Sequence, residues 1–585
     1  MWLSSLNAGG AALACSTTVR YFALACDYDG TIATGGHVDD PTLDALERLR
    51  ASGRKLLLVT GRNLDDVLRV FPHSRLFARI VAENGAVVYD PENREVQSLA
   101  QPPVEEFVHE LNRRGVVPLS VGHAIVATWE PNDRIVFDVI REMGLELQVI
   151  FNKGAVMVLP SGVNKATGLR RALDALKISP HNAVGVGDAE NDHAFLEACE
   201  CAVAVANALD SIKARVDLVT QADHGAGVVE LIDRIIASDL AELGPRLTRH
   251  DLTVGDDEGG ARVRLPAHQG FVLITGPSGS GKSTVTTALL EQLCDAAYQF
   301  CIVDPEGDYH QFPNAIALHG SDQRALADEA LHVLDRPSEN ATVALLDLHL
   351  EDRPGFMQVL LPRLLETRAA TGRPHWIVVD EAHHLLPSTW RPSEPILPAE
   401  LQAVALITVH PDHVAPSVLR RVDTLIVVGR DAQATLDSFA RARREPPVVL
   451  PPHDEDVNLA WLVRPGSAPM RFRRLEPTAD RRRHRRKYSE GELGEDKSFY
   501  FRGPEDRLNL RAQNLEMFMQ MADGVDDETW RYHLREHDVS QWFRTAIKDD
   551  ALADEARAVE EEDMPASESR ARIRAAIQHR YTATE

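Results

Sequence analysis

Two aspartates stand two residues apart, directly after a short apolar run near the start of the sequence. Residues 27–31 read DYDGT, and the run at 22–26 predicts a buried strand. In open α/β sheets, reactive groups lie at the carboxyl ends of the strands. Asp27 can therefore attack a phosphoryl group, and Asp29 can protonate the leaving oxygen and then deprotonate water.

Two further residues place a hydroxyl and a cation near the same predicted edge. An apolar strand at 55–60 ends in Thr60, and Lys165 follows a loop and opens a helix predicted at 164–176. The Lys165 ammonium can neutralise phosphoryl oxygens as charge develops on them.

A third apolar run, at 183–187, leads into the acidic segment GDAEND. This segment contains Asp188, Asn191 and Asp192. Carboxylates gathered at one sheet edge repel each other unless a hard cation lies among them, and Mg²⁺ prefers oxygen ligands. The sequence therefore predicts a Mg²⁺ site.

In this order, DYDGT, the TGR at 60–62, the late lysine and GDAEND resemble the haloacid-dehalogenase superfamily. The AENGA at 82–86 and the position of an inserted cap resemble its Cof-type and sucrose-phosphatase-like branch. The resemblance covers residues 20–238 and implies a phosphatase acting through an aspartyl-phosphate. Its substrate would be a small phosphorylated metabolite, either a sugar phosphate or, as an alternative of similar size, phosphoglycolate.

The same resemblance assigns roles to individual residues. Asp27 is the expected nucleophile, Asp29 the acid/base, and Thr60 and Lys165 the phosphoryl contacts. The expected Mg²⁺ ligands are Asp27, the carbonyl of Asp29, and Asp188 with Asn191 or Asp192.

A second motif begins after the apolar run 271–275. Residues 276–283 read GPSGSGKS, the full GxxxxGK[ST] pattern between a strand and a helix. Such a loop wraps phosphates with backbone N–H groups at a helix N-terminus. Lys282 should reach the β- and γ-phosphates of ATP, and Ser283 should ligate Mg²⁺. The expected nucleotide-binding residues are Gly276, Ser278, Gly279, Gly281, Lys282, Ser283 and Thr284.

A further predicted strand at 375–380 ends in two acidic residues. Asp380 can hold the Mg²⁺ shell, and Glu381 can polarise the attacking water. The loop motif also occurs in small kinases, which keeps a kinase open as an alternative. Glu381 favours hydrolysis, and the absence of an LSGGQ-like signature argues against a transporter ATPase.

Two segments resemble ring ATPases of the HerA/FtsK type. They are CIVDPEGDY at 301–309 and LITVHPDHVAPSVLRRVDTLIVVG at 406–429. The resemblance spans 268–463 and implies ATP hydrolysis between the subunits of a homo-oligomeric ring. One departure concerns His410, which stands where that family usually places Gln, so a γ-phosphate sensor at this position is in doubt.

Strand–helix alternation with buried strands predicts an α/β chain with two doubly wound parallel sheets and a small helical module at the end. We expect a flexible extension at 1–19, a phosphatase core at 20–85 and 160–238, a cap at 86–159, a linker at 240–266, a P-loop ATPase at 268–463, a basic linker at 464–496 and the helical module at 497–585.

Composition limits the partners. The chain has 585 residues and a formal net charge of −25, which disfavours nucleic-acid binding by the whole surface but leaves room for a local basic contact such as 481–487. The six cysteines resemble neither a zinc module nor a disulfide framework. No apolar run reaches the roughly 18 residues of a membrane span. We therefore expect a cytoplasmic protein without a membrane segment.

Three hypotheses connect the two motifs. In the first, a working phosphatase is regulated or assembled by its ATPase domain. In the second, a DNA-directed ring motor carries an accessory phosphatase. In the third, the chain is a kinase–phosphatase pair. The complete set of phosphatase motifs and the negative net charge favour the first hypothesis.

Overall fold

A computed structural model describes residues 20–152, 154–390, 402–452, 458–477, 493, 497–504, 507–547 and 549–582. The extension expected at 1–19 and the basic run 481–487 lie outside these ranges. The described chain forms two compact units, the first built mainly of residues up to His250 and the second mainly of residues from Asp251 onward.

An eight-stranded sheet in the order β12-β11-β10-β1-β2-β3-β4-β5 forms the centre of the first unit. Its strands are β1 (Ala23–Cys26), β2 (Lys55–Val59), β3 (Arg79–Ala82), β4 (Val87–Asp90), β5 (Glu95–Ser98), β10 (Ala183–Gly187), β11 (Cys201–Ala204) and β12 (Leu218–Val219). The strands from β12 to β3 are parallel, whereas β4 and β5 extend the sheet antiparallel. The central strands β1, β2 and β10 are apolar because both faces are covered.

Helices cover both faces of this sheet, as predicted for a doubly wound fold. They are α1 (Asp40–Ala51), α2 (Leu64–Val70), α5 (Lys165–Ala175), α6 (His193–Ala198), α7 (Asp210–Lys213) and α8 (His224–Ser238). The start of α5 is set by a capping box, in which Asn164 Oδ1 accepts the N–H groups of Ala166 and Thr167.

A separate four-stranded sheet, in the order β6-β7-β9-β8, forms the cap. Its strands are β6 (Ser120–Val121), β7 (Val126–Trp129), β8 (Leu147–Asn152) and β9 (Ala155–Pro160), and it packs with α3 (Glu105–Arg113) and α4 (Asp133–Met143). The expected cap boundary at 86 was wrong. Residues 87–98 form β4 and β5 of the core sheet, because β4 turns back to pair with β3.

The second unit contains an eleven-stranded sheet in the order β14-β13-β23-β22-β21-β15-β20-β19-β16-β18-β17. The strands are β13 (Leu252–Asp257), β14 (Arg262–Leu265), β15 (Phe271–Thr275), β16 (Phe300–Asp304), β17 (Ile316–Leu318), β18 (Ala341–Ala344), β19 (Trp376–Val379), β20 (Val404–Thr408), β21 (Thr424–Val428), β22 (Leu459–Val463) and β23 (Met470–Arg474). From β21 to β17 the sheet is parallel, and β22, β23, β13 and β14 continue it antiparallel.

This topology corrects two expected linkers. Residues 252–265, placed in the linker 240–266, form the edge hairpin β13–β14. Residues 470–474, placed in the basic linker 464–496, form β23. The alternation of buried and exposed residues in β14 and the apolar Phe472 in β23 explain why both segments join the sheet.

The helices of this sheet are α9 (Lys282–Asp295), α10 (Gln323–Leu334), α11 (Arg353–Thr371), α12 (Ala382–Leu385), α13 (Pro416–Leu419) and α14 (Ala432–Arg443). The C-terminal part pairs two short strands, β24 (Phe499–Phe501) and β25 (Leu510–Ala512), before its helices. These are α15 (Leu515–Gly524), α16 (Asp527–Arg535), α17 (Asp538–Trp542), α18 (Asp550–Glu561) and α19 (Ala566–Ile577). Trp530 and Phe543 lie in their buried core.

Among the described helices, none combines the length and the apolar composition that crossing a membrane requires. Within the same ranges, five cysteines are present and all are free.

Candidate functional sites

Asp27 follows β1 at the carboxyl end of the central strand, and its side chain is buried. The Lys165 ammonium, at the first residue of α5, lies 2.7 Å from Asp27 Oδ1, and the Thr31 hydroxyl donates to Asp27 Oδ2 at 3.2 Å. Thr60 follows β2, the neighbouring strand, and is also buried. The fold therefore brings the expected nucleophile beside the expected cation.

Lys165 forms a second ion pair, with Asp192 Oδ1 at 2.5 Å. Burial lowers the pKa of Lys165, but the carboxylates of Asp192 and Asp27 raise it by a larger amount. The pKa of Lys165 therefore lies above its ordinary value. The ammonium stays charged and links the end of β1 to the segment after β10.

Asp192 also organises the turn after β10. Its Oδ2 accepts the backbone N–H groups of Asp188 and Ala189, both at 2.9 Å. Since both of its oxygens have partners, Asp192 fits a positioning role better than direct ligation. Gly187 leaves room for this arrangement, because a Cβ there would lie 2.7 Å from Asp192 Oδ2.

The donor set of this edge fits a divalent cation. Carboxylate oxygens of Asp27, Asp188 and Asp192 lie within 4.8 Å of one another, and all three residues are buried. Burial and Asp192 raise the pKa of Asp27 to about 7, although Lys165 opposes the shift. Asn191 Oδ1 is buried and accepts no hydrogen bond from the described residues. Bound Mg²⁺ would offset the crowding of like charges.

Asp29 is more exposed than Asp27 and is held by Arg62. The guanidinium donates from Nε to Asp29 Oδ2 at 2.6 Å and from Nη2 to Oδ1 at 2.7 Å. Its Nη1 donates to Asp66 Oδ2 at 2.7 Å. Arg62 belongs to the TGR motif, but its contact with Asp29 could not be predicted from the sequence, since the contact depends on how two loops meet.

Glu83 connects the core to the cap and was also missed. Its carboxylate is fully buried and accepts three backbone N–H groups of the cap loop at 2.8–3.1 Å, from His123, Ala124 and Ile125. The next residue, Asn84, accepts a hydrogen bond from Asn191 at 3.1 Å. The AENGA segment therefore contacts both the cap loop and the acidic turn.

In the second unit, the phosphate-binding loop lies between β15 and α9 as predicted. Lys282 Nζ donates to the carbonyl oxygens of Gly276 at 3.1 Å and Pro277 at 2.9 Å, so its side chain folds over the loop. Ser283 and Thr284 lie in the first turn of α9, while Ser278 and Gly279 are exposed at the loop tip.

Asp380 and Glu381 follow β19, which is separated from β15 by β20. Burial raises the pKa of Asp380 well above its ordinary value, and three nearby carboxylates raise it further, those of Glu381, Asp304 and Glu306. Asp304 ends β16 and lies in the segment 301–309, but the sequence did not mark it as a candidate site residue. These acids can hold a Mg²⁺ ion with the nucleotide phosphates.

His410 lies after β20, near the acids. Its backbone N–H donates to Thr408 Oγ1 at 3.1 Å, and its ring lies 5.6 Å from that of His383. His383 Nδ1 lies 3.0 Å from Thr408 Oγ1 and 3.4 Å from Glu381 Oε2. A chain of polar contacts therefore joins the loop after β20 to Glu381.

The geometry defines two classes of domain, an α/β hydrolase with an acidic site at its sheet edge and a P-loop domain. A family model for haloacid dehalogenase-like hydrolases matches residues 24–138 and 138–232, and a model for an AAA domain matches residues 264–406. The chain belongs to the haloacid dehalogenase-like hydrolases, and it is an enzyme of phosphatase type.

Similar proteins match the first unit. A phosphoglycolate phosphatase of Methanothermobacter thermautotrophicus is 30% identical over 226 residues, which cover 37% of this chain and 98% of that protein. Phosphoglycolate phosphatase 2 of Saccharolobus solfataricus is 26% identical over 229 residues, which cover 37% of this chain and 94% of that protein. A haloacid dehalogenase-like hydrolase structure from Bacteroides thetaiotaomicron is 18% identical, covers 37% of this chain and all of its own, and has a TM-score of 0.34.

Proposed function

We propose that the first unit hydrolyses the phosphate monoester of a small metabolite in the presence of Mg²⁺. The observation that carries this proposal is the contact of Lys165 Nζ with Asp27 Oδ1 at 2.7 Å, at the end of a central strand. The ammonium holds one carboxylate oxygen in place. It also provides positive charge where phosphoryl oxygens gather.

In the proposed reaction, an Asp27 oxygen attacks phosphorus and the bond to the leaving oxygen breaks. Asp29 gives its proton to that oxygen, and the product alcohol leaves. Asp29 then takes a proton from water, whose oxygen attacks phosphorus and releases inorganic phosphate and Asp27. Lys165 and Thr60 contact the phosphoryl oxygens. Asp27, Asp188, the Asp29 carbonyl and Asn191 would hold Mg²⁺, which would supply charge neutralisation.

Phosphoglycolate is the first substrate to test, because relatives that align with this chain over almost their whole length are named phosphoglycolate phosphatases. Small sugar phosphates, as expected for the Cof-type branch, are the second group. Glu83 supports a small substrate, because it ties the cap loop at 123–125 directly to the edge of the core.

We further propose that the second unit binds and hydrolyses ATP with Mg²⁺. Lys282, Ser283 and Asp380 would hold the phosphates and the ion, and Glu381 would orient water. Assembly into a HerA-like ring is part of this proposal, supported by the segments 301–309 and 406–429. In this proposal, the ATPase activity of the second unit regulates the phosphatase or drives its assembly.

The deciding experiment is a phosphatase screen over phosphorylated metabolites, with and without ATP, at fixed Mg²⁺. We expect hydrolysis of phosphoglycolate or a small sugar phosphate, and loss of that activity with EDTA. Release of phosphate from none of the compounds would refute the substrate class. DNA-stimulated ATP hydrolysis would favour the motor hypothesis, and transfer of phosphate from ATP to a metabolite would favour the kinase hypothesis.

A further inference from the structure

Arg474, the last residue of β23, reaches the phosphate-binding loop of its own chain. Its Nη1 donates to the carbonyl oxygen of Ser280 at 2.8 Å. A Cβ at Gly281 would lie 2.5 Å from Arg474 Cζ and 3.1 Å from Nη2. The guanidinium therefore lies directly against the residue that precedes α9.

The sheet topology explains this contact. β22 is antiparallel to β21 and β23 is antiparallel to β22, so β23 runs in the same direction as β15. Their carboxyl ends lie at the same edge. Phe472, two residues earlier, belongs to the apolar cluster that contains residues of β15 and α9, so Arg474 is on the face covered by α9.

The charge of Arg474 has one weak acidic partner among the described residues, Glu476. The Arg474 side chain is only 12% exposed, whereas Glu476, whose Oε1 lies 3.8 Å from Arg474 Nε, is 69% exposed. Nε itself is buried and makes no hydrogen bond within the described ranges. A cation at a helix N-terminus is unfavourable, because the helix dipole is positive there. A phosphate anion bound by the N–H groups at this helix N-terminus would offset this conflict.

We propose that Arg474 binds the phosphate groups of the nucleotide in the loop of the same chain. This inference rests on the proposed binding of ATP to the second unit. Guanidinium donors match phosphate oxygens in pairs, and Arg474 would add them to the loop N–H groups and the Lys282 ammonium. Arg474 lies outside the matched AAA region 264–406.

The test measures the Kd of a fluorescent ATP analogue with Mg²⁺ for the full-length wild type and four variants. Arg474→Gln removes the charge and Arg474→Lys keeps it. Arg473→Gln is the matched control, because Arg473 has the same charge on the same strand but is exposed. Lys282→Ala reports on the loop itself.

We expect Arg474→Gln to raise Kd by about tenfold to a hundredfold, since hydrogen bonds to charged groups contribute roughly 1.5–3 kcal/mol. Its Kd should also depend less on salt than that of the wild type, whereas Arg474→Lys keeps the salt dependence. Arg473→Gln should bind like the wild type. The midpoints of thermal unfolding without nucleotide should agree among these proteins.

Equal or tighter binding by Arg474→Gln than by Arg473→Gln would overturn the inference. Weaker binding with an unchanged salt dependence would also overturn it, because that result means Arg474 only supports the loop backbone. Failure of the proposed function is a different result. In that case the wild type binds no more analogue than Lys282→Ala.

Discussion

Arg62 holds Asp29 through two parallel hydrogen bonds, from Nε and Nη2, at 2.6 and 2.7 Å. A guanidinium and a carboxylate paired in this way have a defined mutual orientation. Because the aspartate is the proposed acid/base, its partner sets where the proton is given and taken. We therefore expect part of the proposed chemistry of the first unit to depend on Arg62.

Replacing Arg62 with Met should lower kcat for the best phosphate ester by about tenfold to a hundredfold, a part of the roughly 10²–10⁴-fold that general acid–base catalysis contributes. KM should change less. Steady-state kinetics at saturating Mg²⁺ measures both. Arg69→Met is the control, since the exposed Arg69 side chain pairs with Asp66. An unchanged kcat in Arg62→Met would show that Asp29 does not need this partner.

Asp27→Asn should abolish phosphate release, because the carboxamide is nearly isosteric but a far poorer nucleophile. ATP hydrolysis should remain nearly intact, since the P-loop belongs to a different sheet. Malachite-green phosphate assays, with ester or ATP as the substrate, measure the two activities separately. Ester turnover near the wild-type rate would remove Asp27 from its role.

Lys165→Met should destabilise the first unit, because it leaves the buried Asp27 and Asp192 without their shared cation. Breaking a buried ion pair costs about 3–5 kcal/mol, which corresponds to a drop of roughly 6–20 °C in Tm for a unit of this size. Calorimetry of residues 20–238 with and without Mg²⁺ measures the drop. Lys213→Met, which removes a half-exposed lysine 3.8 Å from Asp210, should change Tm little.

The second unit should lose stability in acid partly through His383. Burial lowers the pKa of His383 from its ordinary 6.5, and the neighbouring imidazoles of His384, His410 and His413 add to this shift, so that the pKa is about 3. Between these pH values the unfolded chain binds a proton that the folded chain does not, so stability falls as pH falls from about 6.5 to about 3.

His383→Gln should therefore show a smaller decrease in Tm between pH 7.5 and pH 5 than the wild type. Thermal unfolding followed by circular dichroism at both pH values gives the comparison. The exposed His319, changed to Gln, is the control. An equal decrease in His383→Gln and the wild type would contradict the prediction.

The ATPase unit should assemble into a ring, for which a hexamer is expected. An arginine supplied by a neighbouring subunit can raise the rate of hydrolysis by about 10³–10⁵. Light scattering at micromolar protein, with ATP, Mg²⁺ and Glu381→Gln to stall hydrolysis, measures the mass. The ring is excluded if the Glu381→Gln protein is strictly monomeric and the wild type still hydrolyses ATP at high dilution.

Short motifs next to apolar runs were enough to place both sites along the chain. Asp27 directly follows one buried strand, and Lys282 follows the loop after another. Such strands are recognisable in a sequence because parallel strands buried on both faces are continuous apolar runs. The doubly wound folds followed from the same runs. The strand at 183–187 coincides with β10, and the strand at 271–275 coincides with β15.

Pairings between distant segments were decided only by the tertiary structure. The contact of Arg62 with Asp29 and that of Arg474 with the loop at Ser280 depend on which loops and strand ends share a sheet edge. The antiparallel strands at 252–265 and 470–474 are short and partly polar, so their sequences resemble linkers. Their place in the sheet comes from backbone pairing and from a few buried side chains, such as Phe472 and the alternating residues of β14. So short a pattern does not distinguish a strand from a linker in the sequence.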